Sequence, residues 1–139
     1  MKKQILTLAG VLSLLFVAGS AHAQLVQMQA NIPFEFKIVN KTLPAGEYKI
    51  VPDGTLSSNV MRIENYRGTP VALVVVRRSE TRHNGETNAF VFNRYGDQYF
   101  LSNLKLLGES IRWEFPRGKA ETEQAQASQA SEVLVASER

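Results

Sequence analysis

The sequence contains no cysteine, and this absence removes several kinds of chemistry. Without thiolates there is no cysteine nucleophile, no disulfide framework and no thiolate metal site. Only two histidines are present, and one of them, His22, falls in a segment that we predict to be removed, so a histidine-based zinc site lacks ligands. No phosphate-binding loop, Gly-x-Ser-x-Gly or His-Glu-x-x-His motif occurs. The sequence therefore predicts no catalytic residue, no bound metal and no cofactor.

Apolar runs long enough for a membrane are also lacking after the first residues. Two lysines precede the apolar residues 5–18, and the small residues Ala21 and Ala23 supply the pattern that signal peptidase cleaves. The apolar run is shorter than the roughly 20 residues of a membrane-spanning helix. We therefore predict a signal peptide over residues 1–23, a mature chain that begins at Gln24, and export to the periplasm or the extracellular space of a bacterium.

A strong excess of charge of one sign is absent as well. The whole chain has 16 basic and 13 acidic side chains, and removal of the two signal lysines leaves 14 against 13, so the net charge falls from +3 to +1. A nucleic-acid partner would require a strongly basic surface, which this balance does not provide. The mature chain of 139 − 23 = 116 residues has the size of one domain.

What the sequence does contain is a series of short alternating segments separated by turn signals. Ile111, Trp113 and Phe115 alternate with charged residues, which is the period-two pattern of a half-buried strand. Similar segments recur at near-regular spacing along the chain. The pattern predicts an all-β domain over residues 24–116, an antiparallel β-sandwich or small barrel of about seven or eight short strands.

Three local patterns make this prediction more specific. Gly96-Asp97 separates two aromatic-rich segments and predicts a hairpin. Residues 71–76, VALVVV, are apolar on both faces and predict a central strand covered on both sides. In residues 32–50, IPFEFKIVNKTLPAGEYKI, the Pro-Ala-Gly corner predicts a hairpin whose two strands face one core.

The C-terminal residues differ in composition from the rest of the chain. Residues 117–139 are rich in Ala, Gln, Glu and Ser and contain no aromatic residue. Residues 119–130 favour at most a marginal helix, because their apolar stripe is weak. Residues 133–135, Val-Leu-Val, allow the alternative of an added edge strand. The prediction for the segment is a flexible or marginally helical tail.

A group of cations is the first candidate binding site. Arg77, Arg78, Arg82 and His83 cluster in VRRSETRHNGE, which is predicted to project as a hairpin, with Arg94 in the adjoining strand pair. Together they would form a basic patch for an anionic glycan, a lipid headgroup or a phosphate. The alternative is a solvated loop whose arginines pair with nearby glutamates, and surface pairs of that kind contribute little.

Aromatic side chains beside turns are the second candidate binding site. Tyr66 and Tyr95 each adjoin a glycine-containing turn and are predicted to be exposed, where they could stack on sugar rings. Trp113 and Tyr99 share their strand face with apolar neighbours and are predicted to belong to the core. Core packing is also the alternative interpretation for the aromatic set as a whole.

Three motifs carry a resemblance to known sequences: IPFEF (residues 32–36), LPAGEYKI (residues 43–50) and FNRYGDQYFLS (residues 92–102). In this combination the chain resembles a family of small exported bacterial β-rich proteins of unknown function. The resemblance implies an exported β-rich domain. It implies no activity and no site residues.

The sequence as a whole predicts an exported, non-catalytic envelope or extracellular protein that binds a partner protein, a glycan or an anionic surface. A structural protein that self-associates through exposed sheet edges is the alternative. An enzyme of unrecognised type comes third. Catalytic residues are predicted to be absent in the first two cases.

Overall fold

The structure, a computed structural model, describes residues 27–54, 59–82 and 86–138. The predicted signal peptide, with its cleavage residues Ala21, Ala23 and Gln24, lies outside the described residues, and so does His83. Within the described ranges, no helix is both long and apolar enough to cross a membrane.

Two largely antiparallel sheets form a β-sandwich, which confirms the predicted fold class. The first sheet has the order β1-β4-β5-β6, with strands Met28–Ile32 (β1), Gly46–Pro52 (β4), Val60–Asn65 (β5) and Pro70–Val75 (β6). The second has the order β11-β8-β9-β10-β7, with strands Ser131–Ala136 (β11), Ala89–Tyr95 (β8), Gln98–Lys105 (β9), Ile111–Glu114 (β10) and Arg77–Glu80 (β7). Two short strands, Phe36–Ile38 (β2) and Lys41–Leu43 (β3), attach to the second sheet beside β9.

The two sheets are connected along both sides of the sandwich. On one side β6 continues into β7 with only Val76 between them, so a single stretch of chain passes from one sheet to the other. On the opposite side the backbone N–H of Glu138 donates to the carbonyl of Gln29 in β1 (2.8 Å). The Ser137 hydroxyl also donates to that carbonyl (2.9 Å). The residues that follow β11 therefore tie the second sheet to the first.

The core fills the space between the sheets, as strand alternation predicts. Phe36, Phe90 and Phe92 are fully buried, and the rings of Phe36 and Phe92 meet edge to face at 5.4 Å. Trp113 is buried in the same cluster, which confirms its predicted place. Tyr99 is half-buried and stacks on Phe34 with ring centroids 3.8 Å apart.

Residues 32–50 do not form the predicted hairpin. The chain instead turns at Val39-Asn40, where β2 pairs with β3, and β4 pairs with β1 in the other sheet. The Pro-Ala-Gly corner is thus a crossing between sheets, stabilised by a hydrogen bond from the Tyr48 hydroxyl to the carbonyl of Pro44 (2.8 Å). Such a bond resembles the tyrosine corner of other β-sandwiches.

The Gly96-Asp97 hairpin is confirmed, whereas the central strand over residues 71–76 is not. Tyr95 pairs with Gln98 across the two-residue turn between β8 and β9. In contrast, β6 pairs only with β5 among the described residues, so it lies at the edge of its sheet. Its Leu73 and Val75 side chains are 61% and 67% exposed. Apolar residues on both faces of a strand thus reflected an uncovered edge, not a central position.

The C-terminal segment departs from the predicted flexible tail. Lys119–Ala127 forms a helix (α1), consistent with the helical alternative, and β11 pairs with β8 over six residues. Val133 and Val135 pack against the core, because they lie on the inner face of β11. The domain therefore continues past residue 116, and the added edge strand was the correct alternative for residues 133–135.

Candidate functional site

The outer face of the second sheet, which points away from the core, carries a group of polar side chains from neighbouring strands. On β10, Arg112 and Glu114 flank the core residue Trp113, so alternation directs both to the outer face. Asn103 of β9 is the direct cross-strand partner of Glu114 and shares that face. Arg77 of β7 reaches the same carboxylate from the neighbouring strand.

Together with α1 these strands form a groove of about 730 Å³, which we call the outer-face groove. Its volume lies within the range of about 300–1,000 Å³ that is usual for small-molecule sites. The charged residues of its lining are Arg77, Arg112, Arg117, Glu114, Glu121 and Glu132. Three positive and three negative side chains leave the groove without a net charge. Asn93, Ser102 and Asn103 add neutral polar groups.

Glu114 is the centre of a hydrogen-bonded network in the groove. Its Oε2 accepts from Arg77 Nη2 (2.6 Å), and its Oε1 accepts from the Ser79 hydroxyl (2.7 Å). Arg112 Nε lies 3.2 Å from the same Oε1. The hydrogen bonds from Arg77 and Ser79 hold the pKa of Glu114 below its ordinary value of 4.5. Glu114 is therefore a stable anion at neutral pH.

A second polar group connects the floor of the groove to α1. Glu121 of the helix is 3% exposed and accepts a hydrogen bond from Asn93 Nδ2 in β8 (2.8 Å). Arg117 Nε lies 3.8 Å from the Glu121 carboxylate, which is too long for a hydrogen bond. Burial, with a further contribution from Glu121, raises the pKa of Tyr95 above 10.0. Glu121 thus fixes α1 to the sheet and leaves the Arg117 guanidinium without a hydrogen-bond partner in the described part of the chain.

Asn103 supplies a polar atom in the groove that no protein group satisfies. The residue is 5% exposed, and its Nδ2 donates to the Ser102 hydroxyl (3.3 Å). Its Oδ1 has no hydrogen-bond partner among the described residues. A buried carbonyl without a partner costs about 1–3 kcal/mol, so a donor in the groove would stabilise this closed atom once the Asn103 side chain turns to meet it.

The arginines that the sequence grouped together do not converge in the structure. Arg77 and Arg78 are consecutive in β7 and therefore point to opposite faces, with Arg77 on Glu114 and Arg78 5.0 Å from the centre of the Trp113 ring. Arg82 is exposed beyond the end of β7. The glutamate that pairs with Arg77 belongs to a neighbouring strand and is not one of the loop glutamates.

Arg94 lies on β8, which is separated from β7 by β9 and β10. Three strand spacings of about 4.8 Å place it about 14 Å from β7. Its Nε donates to the carbonyl of Gly96 (2.8 Å), and its guanidinium lies 5.5 Å from the centre of the Tyr99 ring. The expectation that Arg94 adjoins the other arginines is therefore wrong, because the sheet order inserts two strands between them.

The two tyrosines predicted to be exposed behave differently. Tyr66 is 67% exposed and its ring packs against Arg67, with 5.2 Å between the guanidinium and the ring centre. Tyr95 is 4% exposed, and its ring contacts Phe100 at 5.7 Å. The prediction for Tyr95 is wrong because this strand end lies on the outer face that α1 covers. Of these two rings, only that of Tyr66 is therefore exposed and able to stack on a sugar.

Sequence reasoning missed most of the residues that line the groove. Arg112 and Glu114 were visible as the polar half of the alternation around Trp113. Asn103 and Glu121 had no such signal, because each depends on segments far apart in the chain. Strand pairing places Asn103 opposite Glu114, and Glu121 is buried where α1 meets Asn93. The described ranges contain no group of three or more histidine or carboxylate side chains placed to hold a metal ion.

No protein family model, curated protein or solved structure matches this chain. The resemblance to exported β-rich proteins therefore stays a prediction.

Proposed function

We propose that this chain is an exported, non-catalytic binding protein of the bacterial periplasm or extracellular space, and that the outer-face groove holds a small polar ligand. The observation that carries the proposal is the unpaired Oδ1 of Asn103, buried in a groove whose other polar groups come from five strands and α1. Buried polar atoms are almost always hydrogen-bonded in proteins. The ligand would supply the missing donor.

The chemistry of the groove supports binding in preference to catalysis. Ser79 donates to Glu114, an arrangement that could suggest an activated hydroxyl. However, a carboxylate whose pKa is held low is a weak base and takes a proton from serine poorly. The balanced charge of the lining also disfavours an anionic polymer or surface, which the separated arginines Arg77, Arg78 and Arg82 would have had to bind together.

A thermal-shift screen of the purified protein against monosaccharides, sugar acids, amino acids and nucleotides tests the proposal. A ligand of the groove should raise Tm, because it binds only the folded state. Arg112→Gln should abolish that shift, since Arg112 lines the groove, whereas Arg67→Gln, an exposed arginine beside Tyr66, should leave it intact. A screen without any shift, or a shift that survives Arg112→Gln, would contradict the proposal.

Self-association is the second candidate function, and the edge strand β6 favours it. Val76 N–H donates to the carbonyl of Asn59 (2.7 Å), so alternate residues of this stretch point their backbone groups toward β5. By the same alternation Leu73 and Val75 direct their backbone groups away from β5. A second copy of the chain could pair with this edge and bury both exposed side chains. At one end the Lys41 ammonium donates to the carbonyl of Val71 and covers part of the edge.

A further inference from the structure

Two arginines of the outer-face groove retain free hydrogen-bond donors. Arg112 Nε donates to the Ser79 hydroxyl (3.1 Å) and lies close to Glu114, but neither of its terminal nitrogens bonds to a described residue. Arg117 is 3.8 Å from its nearest carboxylate and makes no hydrogen bond within the described ranges. The planar fork of a guanidinium matches a carboxylate, which it binds through two parallel hydrogen bonds. The donors of the groove thus suit an anionic group on the ligand.

The free acceptor sets a second requirement. Asn103 Oδ1 is uncharged and buried, so it suits a hydroxyl group better than an ammonium group, whose burial needs an anionic partner. The nearest carboxylate in register is Glu114, and that group already accepts hydrogen bonds from Arg77 and Ser79. The ligand therefore has to present a hydroxyl group at Asn103.

The register of the strands brings the two requirements close together. Asn103 lies directly opposite Glu114, and Arg112 is two residues from Glu114 on the same face of β10. Diagonal neighbours of this kind lie about 7–8 Å apart, and their Cβ atoms are somewhat closer. The long side chain of Arg112 can cover part of that distance. One small molecule can therefore contact both Arg112 and Asn103. The groove is lined mainly by polar groups, which favours a hydroxylated scaffold over an aromatic one.

We propose that the outer-face groove binds a sugar acid, whose carboxylate lies between Arg112 and Arg117 and whose ring hydroxyl donates to Asn103 Oδ1. This assignment depends on the proposed function and names the class of ligand for the same groove. The sugar ring supplies several hydroxyl groups within a few bonds of the carboxylate, as the register of Asn103 and Arg112 requires.

Calorimetric titration of the purified protein tests the assignment with four kinds of probe. D-glucuronate and D-galacturonate carry both required groups, D-glucose lacks the carboxylate, and cyclohexanecarboxylate lacks the hydroxyls. We expect at least one uronate to bind about tenfold or more tightly than the other two probes, the factor that one charge-assisted hydrogen bond supplies. Glycine represents the alternative class of ligand, which carries a carboxylate and an ammonium group instead of hydroxyl groups.

Two variants separate the roles of the groups, and a third serves as control. Arg117→Gln, at a side chain that is 59% exposed, should weaken uronate binding about tenfold without lowering Tm. Asn103→Leu should remove the preference for uronate over cyclohexanecarboxylate. Arg67→Gln should bind uronate as the parent protein does.

The outcomes distinguish this assignment from the function on which it rests. Equal binding of uronate and cyclohexanecarboxylate, or tighter binding of glycine, would overturn the sugar-acid assignment and leave the groove as a binding site. Uronate binding that Arg117→Gln and Asn103→Leu leave unchanged would overturn it as well. Failure of every small molecule in the wider screen would instead refute the proposed function itself.

Discussion

Glu114 shows how one side chain sets the state of the outer-face groove. It accepts hydrogen bonds from Arg77 and Ser79 and lies within 3.2 Å of Arg112, so three strand residues depend on its negative charge. Its partner Arg77 is 80% exposed, and an ion pair with one exposed member contributes at most about 1 kcal/mol. The carboxylate therefore serves mainly to orient the arginines.

This network predicts an acid-sensitive component of stability. A carboxyl whose pKa is lower in the folded state stabilises the protein above its unfolded pKa, and that contribution is lost as the pH falls through the folded value. For Glu114 the loss therefore begins near its ordinary pKa of 4.5 and continues below it. We expect Glu114→Gln to lower the free energy of unfolding by about 1 kcal/mol at pH 7 and to show a smaller further loss between pH 5 and pH 3.

Urea unfolding at several pH values measures this difference. Glu35→Gln, at an exposed carboxyl outside the network, is the matched control and should follow the parent protein. If the free energy of unfolding falls equally between pH 5 and pH 3 in the Glu114→Gln variant and the parent protein, the network does not contribute to acid sensitivity.

At the scale of elements, α1 is held by a close approach between backbone segments. Gly118, directly before the helix, packs so tightly against the turn at Val39-Asn40 that a Cβ atom there would overlap the carbonyl oxygen of Val39. Val39 itself has a positive φ of 55°, which is unusual for a β-branched residue. The backbone N–H of Lys119 donates to Asn40 Oδ1 (3.0 Å). The helix and the turn thus support each other.

Gly118→Ala should therefore displace the start of α1. We expect a loss of about 1–3 kcal/mol, the usual cost of overpacking, with faster hydrogen exchange in Lys119–Ala127 than elsewhere in the chain. Lys119→Ala, which keeps the backbone contact at Asn40, should change stability little. Unchanged hydrogen exchange in the helix of the Gly118→Ala protein would contradict this prediction, because it would show that the turn at Val39-Asn40 moves aside without destabilising α1.

The elements also show which local patterns were sufficient. Gly96-Asp97 specified its hairpin because a two-residue turn with glycine decides the pairing of its neighbours locally. The Pro-Ala-Gly corner at residues 44–46 permitted either a hairpin or a crossing between sheets. The chain crosses between the sheets because β4, which follows the corner, pairs with β1 in the first sheet.

At the scale of the whole molecule, the edge of the first sheet exposes two apolar side chains. Leu73 and Val75 are exposed on a strand that pairs on one side only among the described residues. Native proteins usually protect such edges with charges or short strands. Here Lys41 reaches the backbone at Val71 and protects one end.

If this edge pairs with a second copy, the mass in solution should depend on concentration. We expect light scattering to show a dimer that Leu73→Lys converts to monomer, because a charge on each of two adjoining edges opposes pairing. Leu107→Lys alters another apolar side chain of comparable exposure, 52% against 61%, and should leave the dimer intact. A monomeric parent protein at all concentrations would exclude this second function.

The sequence by itself determined the fold class, the two-residue hairpin at Gly96-Asp97 and the core position of Trp113, because alternation and turn chemistry act over a few neighbouring residues. Only the tertiary structure decided the edge position of β6, the docking of β11 and the outer-face groove. Each of these depends on pairing or packing between segments far apart in the chain. Glu121 is the clearest case, since it is buried where α1 meets Asn93 of β8, 28 residues away in the chain, and no local pattern places the helix there.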